Sequence, residues 1–229
     1  MKTRNGNAVL VPAVRRPNLR IGLLGGSFNP AHDGHRHVSL LALRKLGLDE
    51  VWWLVSPQNP LKPEKGMAPL KARLRQAEAV ARHPRIRVTD LESQFGTRYT
   101  IDTLRTLFRA FPGCHFVWLM GADNLAQISK WRDWTSIFRT VPIAVFDRPS
   151  YAFSASTGLA SRRYGLSCLP ERFAKKLVTM KPPVWVFFRT ALSPVSATRI
   201  RRQSSGSGVR GLVRRPAIGS FWRPGGTAR

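Results

Sequence analysis

Five short apolar runs punctuate the chain: Arg20-Ile21-Gly22-Leu23-Leu24, Val51-Trp52-Trp53-Leu54-Val55, Phe116-Val117-Trp118-Leu119-Met120, Val141 to Phe146, and Val184-Trp185-Val186-Phe187-Phe188. Each is too short for a core helix and too continuous for a strand with one wet face, so they read as strands buried on both sides. Ile86 and Val88 alternate with arginines and read as a sixth strand nearer a sheet edge. Between them lie helical patterns. Val38, Leu41, Ala42 and Leu46 repeat up to Gly47; Leu74, Ala77 and Val80 share a face and halt near Pro84; Ile101, Leu104, Leu107, Phe108 and Phe111 follow Thr100 and stop at Pro112-Gly113. Alternation of this kind predicts a Rossmann-like, doubly wound α/β fold, with a parallel sheet covered by helices on both faces.

Charge sets the ends apart from this body. The 229 residues carry 38 basic and 12 acidic side chains, a net charge of +26. All 12 acids fall between Asp33 and Glu171, while residues 201–229 hold seven arginines and no acid, and residues 1–20 hold five basic residues and no acid. The expected organisation is a basic N-terminal extension over 1–19, one folded domain over 20–201 and a flexible Arg-rich tail over 202–229. The segment from Ser150 to Pro183 has no clear pattern. The positive field attracts nucleotides and other polyanions, and the tail is suited to non-specific polyanion contact. No apolar run approaches the roughly 20 residues needed to cross a bilayer. Pro12 and Pro17 break the N-terminal stretch against a secretory signal, although its basic, acid-poor start leaves a transit peptide open. Cys114 and Cys168 lack any metal-like spacing and fit a reduced, cytoplasmic setting.

The most chemical stretch is Gly25-Gly26-Ser27-Phe28-Asn29-Pro30-Ala31-His32-Asp33-Gly34-His35, between the first strand and first helix. Glycines in a strand-to-helix turn let phosphate oxygens approach the backbone N–H groups of a helix N-terminus. Two imidazoles three residues apart can aim at one ligand. For either histidine alone a cap or packing role is the favoured reading, and it is the pair within this stretch that points to a ligand. A zinc site from His32, His35 and His37 is conceivable but has no obvious further ligand, and Asp33 and His37 read as solvated helix-start residues.

The spacing Gly-x-Phe-x-Pro-x-His-x-Gly-His, here Gly26, Phe28, Pro30, His32, Gly34 and His35, resembles the class I nucleotidylyltransferase family. The Ser196-x-Thr198-x-x-Arg201 pattern after Pro194 resembles that family's second ATP motif. The resemblance implies adenylyl transfer from ATP accompanied by Mg²⁺, with no metal held by protein side chains. It implies ATP binding by Gly25, Gly26, Ser27, Phe28, His32, His35, Lys62, Ser196, Thr198 and Arg201, and catalysis by His35 at the α-phosphate with His32 on the phosphate chain. Lys62 is equally readable as a solvated loop lysine.

Three further stretches resemble the branch of the family that adenylylates nicotinate mononucleotide. They are Tyr99-Thr100-Ile101-Asp102-Thr103-Leu104, Gly121-Ala122-Asp123-Asn124 with Lys130-Trp131-Arg132-Asp133-Trp134, and Phe146-Asp147-Arg148-Pro149. By that resemblance Thr100, Trp131 and Arg132 hold the pyridine ring and its carboxylate, Asp123 a ribose hydroxyl, and Arg148 the acceptor or the adenine side. Ordinary packing is the other reading of Trp131, and the stronger one for Trp134. Nicotinamide mononucleotide and 4′-phosphopantetheine stay open as acceptors. RNA binding on a degenerate fold is the reading from outside enzymology. The oligomeric state is not legible.

Overall fold

The apolar runs become parallel strands of one seven-stranded sheet in the order β3-β2-β1-β4-β5-β7-β6. The computed structural model describes residues 18–57, 66–147 and 157–189. Along the chain these form β1 (Arg20–Gly26), α1 (Asp33–Leu46), β2 (Glu50–Val55), α2 (Leu70–Ala81), β3 (Ile86–Thr89), α3 (Leu91–Gln94) and α4 (Thr100–Ala110). There follow β4 (His115–Gly121), α5 (Ala122–Gln127), α6 (Trp134–Thr140), β5 (Ile143–Phe146), α7 (Leu159–Arg163), β6 (Cys168–Leu169) and β7 (Trp185–Phe188). The segment that had no sequence reading thus supplies α7, a short edge strand and a 3₁₀ stretch at Glu171–Thr179. Six strands were expected and seven are found, because two residues are too few to leave a periodic signal.

Period-two alternation splits the core into two layers. Leu24, Trp53, Val117 and Leu119 face α1, α2 and the 3₁₀ stretch. Leu23, Trp52, Phe116 and Trp118 face α4, α5 and α6. Trp52 and Trp53 are both fully buried on opposite sides of β2, so no half-wet alternation could appear there. The first helix ends where its sequence stops repeating: Gly47 takes the left-handed conformation at φ 65° and returns its N–H to Leu43. Ile86 and Val88 do lie in an edge strand. Among the described residues no helix is long and apolar enough to cross a membrane. Cys114 is buried and Cys168 exposed, both as free thiols.

Candidate active site

Strand order reverses between β1 and β4, and in an open parallel sheet the crevice outside the carboxyl ends at such a point is where ligands bind. The glycine-histidine stretch leaves the end of β1, and Gly121-Ala122-Asp123 leaves the end of β4.

The glycines are placed differently from expectation. Gly25 and Gly26 are not in the strand-to-helix turn but are the last two residues of β1, in register with Leu54 and Val55. A Cβ on Gly25 would stand 2.5 Å from the Trp118 ring, so the absent side chain makes room for an indole from the neighbouring strand. Trp118 is 2 % exposed and cannot swing away. Gly25→Ala is therefore expected to destabilise the fold by about 1–3 kcal/mol through overpacking. Thermal melting checks this, and an unchanged midpoint would refute the packing role.

The turn proper starts at Ser27, and Phe28 occupies the left-handed region at φ 45°. For a buried aromatic this costs on the order of 1–3 kcal/mol and needs support from its surroundings. The Phe28 ring stacks on Trp53 with centroids 5.0 Å apart and leans on His35 at 4.7 Å. Trp53 in turn donates from Nε1 to Ser39 Oγ (2.8 Å), which donates to the His35 carbonyl (2.8 Å). The buried face of α1 thus fixes where His35 stands.

His32 is the N-cap of α1, an unusual choice, and the two histidines cap reciprocally. The Gly34 N–H donates to His32 Nδ1 at 3.1 Å, and the His32 N–H donates to His35 Nδ1 at 3.2 Å. The ring centroids are 3.9 Å apart. Since both Nδ1 atoms accept, each neutral ring carries its proton on Nε2. Capping and catalysis are therefore not competing readings of this pair. Capping turns each imidazole into an oriented Nε2–H donor, the form suited to phosphate oxygens. Asp33 and His37 are exposed, as expected of solvated residues. Among the described residues no group of three or more His, Cys, Asp or Glu side chains is placed to hold a metal.

On the opposite face, Trp131 meets Trp118 edge to face at 6.5 Å, and the Arg132 guanidinium lies 4.6 Å over the Tyr99 ring. Tyr99 precedes Thr100, the first residue of α4, whose N-terminus has no side-chain cap. This brings Thr100, Trp131 and Arg132 into one neighbourhood, joined to the end of β1 through Trp118 and Gly25. Asp123 stands in the first turn after β4 with Oδ1 buried. Trp134 packs against Phe138 and Tyr164, in keeping with a core role. Lys62, Arg148, Ser196, Thr198 and Arg201, with both basic ends, lie outside the described residues.

Sequence reading missed two residues here, Glu92 and Arg73. Asp147, quoted in the sequence beside Arg148, follows β5 with Oδ1 buried and unpartnered among the described residues, as is Ser27 Oγ. Glu92, at the start of α3, is 7 % exposed; burial pushes its carboxyl up to about 7, against a hydrogen bond with the Ser56 side chain that lowers it. Arg73 of α2 is 1 % exposed, and desolvation holds its guanidinium below the ordinary value. It shares the inward stripe of α2 with Ala77 and Ala81.

Residues 23–203 match the cytidylyltransferase-like family. A probable nicotinate-nucleotide adenylyltransferase of Cereibacter sphaeroides is 50 % identical over 181 residues, covering 79 % of this chain and 95 % of that protein. Its counterpart in Parvibaculum lavamentivorans is 51 % identical over 191 residues, covering 83 % and 95 %. Among solved structures, the Plasmodium falciparum nicotinic acid mononucleotide adenylyltransferase complexed with NaAD superposes with a TM-score of 0.60 at 18 % identity, over 81 % of this chain and 83 % of that one, which is a likeness of fold. With half of the aligned residues identical across nearly the whole length of those bacterial relatives, the chain belongs to the nicotinate-nucleotide adenylyltransferase family, within the cytidylyltransferase-like group.

Proposed function

We propose that the protein transfers AMP from ATP to nicotinate mononucleotide, forming nicotinate adenine dinucleotide and pyrophosphate, a step of NAD biosynthesis in the cytoplasm. The observation that carries this is the reciprocally capped His32–His35 pair at the carboxyl end of β1, at the switch point of the sheet. An oxygen of the acceptor's phosphate attacks the α-phosphorus of ATP; the bond from that phosphorus to the bridging oxygen breaks, and pyrophosphate leaves with the electron pair. The attacking phosphate is already mostly dianionic at pH 7, its second pKa being about 6, so no side chain must remove a proton. What the protein supplies is position and fixed donors. His35 Nε2–H stabilises charge on the transferring phosphoryl group, and His32 Nε2–H holds the phosphate chain. Mg²⁺ would arrive on the triphosphate, neutralising the charge that develops on pyrophosphate.

The acceptor assignment is supported by the uncapped N-terminus of α4 at Thr100, with Arg132 over Tyr99 and Trp131 nearby. A helix N-terminus and a guanidinium favour a carboxylate over a neutral carboxamide, and an indole face suits a cationic pyridinium. Nicotinate mononucleotide should therefore exceed nicotinamide mononucleotide in kcat/KM by about tenfold or more, a difference of roughly 1.4 kcal/mol. The test is pyrophosphate release with ATP, Mg²⁺ and each acceptor in turn, 4′-phosphopantetheine included. Turnover confined to another acceptor would overturn the assignment.

A further inference from the structure

We propose that Arg73 is a positioning residue for the ATP half of the site, a buried cation that clamps together the two loops bounding the phosphate cleft. Its Nη1 donates to the carbonyls of Ser27 and Ser56, both at 2.7 Å, its Nη2 to that of Pro57 at 2.9 Å and its Nε to that of Ala68 at 2.8 Å. Ser27 opens the turn that carries the histidines. Ser56 and Pro57 leave β2, and Ala68 lies just before α2. One planar fork thus fixes both margins of the segment holding Lys62 to the turn holding Phe28, His32 and His35. Asn29 adds a second tie, its side chain donating to the Gly66 carbonyl and accepting from the Ala68 N–H.

Stability alone is a poor reason for an arginine in this place. The side chain is 1 % exposed and has no acidic partner among the described residues. It also lies in the first turn of α2, where the helix dipole disfavours a cation. Four carbonyls compensate its desolvation, and they belong to the loops that must hold still while phosphate binds. Its hold on the Ser27 carbonyl lies one residue before the left-handed Phe28, where support is needed most. The unneutralised charge beneath the turn also favours a polyphosphate above it. Lysine can supply the charge but not four fixed directions.

This rests on the adenylyl-transfer reading, which the unsubstituted protein tests by its own turnover. Arg73→Met and Arg73→Lys are each assayed for KM of ATP, KM of the acceptor, kcat and thermal melting. The expected result is a rise of about tenfold or more in KM for ATP with acceptor KM within about twofold, only partly relieved in Arg73→Lys. In Arg73→Ala, millimolar guanidinium should restore ATP turnover more than methylammonium does. Equal shifts in both KM values, full activity in Arg73→Met, or no folded protein from any of the three variants would overturn the proposal. A parent that turns over neither substrate would sink the activity reading instead.

Discussion

His35→Ala is expected to lower kcat by about 10²–10³-fold while moving KM for ATP only a few-fold. That range is typical for losing one preorganised donor aimed at charge that develops in the transition state. The direction follows from geometry. Packing of Phe28 and the Trp53–Ser39 relay fix where His35 stands, and the His32 N–H fixes which of its nitrogens bears the proton. A donor held this way gains most when the α-phosphate takes on charge, so its removal weakens the transition state more than the ground state. The substitution also takes away an N-cap partner, a loss of about 1 kcal/mol in stability, so rates are to be normalised to folded protein. His35→Gln, whose amide nitrogen can reach toward the Nε2 position, should recover part of kcat. Equal losses in kcat and ATP affinity would make His35 a simple binding contact.

The place of the histidines was legible in the sequence because their spacing is flanked by an apolar run and a helical repeat, while the chemistry proposed for them comes from the motif's resemblance. The role of Gly25 was not. Its reason is Trp118 on a neighbouring strand nearly a hundred residues away, and no local pattern carries that information. The layered sheet was equally readable, since buried parallel strands leave continuous apolar runs, whereas the two residues Cys168–Leu169, paired with β7, are too few to leave one. Arg73 and Glu92 went unread for a shared reason. In sequence an arginine or glutamate in a helix counts as a solvated face, and only tertiary structure shows these two turned inward. Tyr99 stood in a quoted motif, but its ring contact with Arg132, like that of Trp118 with Trp131, joins residues far apart in sequence and shows only in the structure.

Glu92 gives the second large expectation, a pH dependence of stability. Its carboxyl is raised from 4.5 to about 7, chiefly by burial. Between those values the folded protein holds a proton that the unfolded chain has released, so the stabilisation is fully present below pH 4.5 and is lost as pH rises through 7. A shift of that size is on the order of 3 kcal/mol across the window, at 1.36 kcal/mol per unit. Glu92→Gln keeps the shape of the protonated acid and a hydrogen-bonding group for Ser56 while removing the titration. The variant should match the parent near pH 4.5 and exceed it at pH 8 by up to about 3 kcal/mol, or roughly 10 °C in melting temperature. Denaturant unfolding at the two pH values checks this, and parallel curves for parent and variant would show that Glu92 does not set the slope. The carboxyl also bears on the cleft through one residue. Ser56 bonds Glu92 by its side chain, gives its carbonyl to Arg73 and donates its N–H to the carbonyl of Gly26. Because the Ser56 hydrogen bond favours the ionised carboxyl, it opposes the desolvation cost, and the pH slope of stability measures what burial costs beyond that bond.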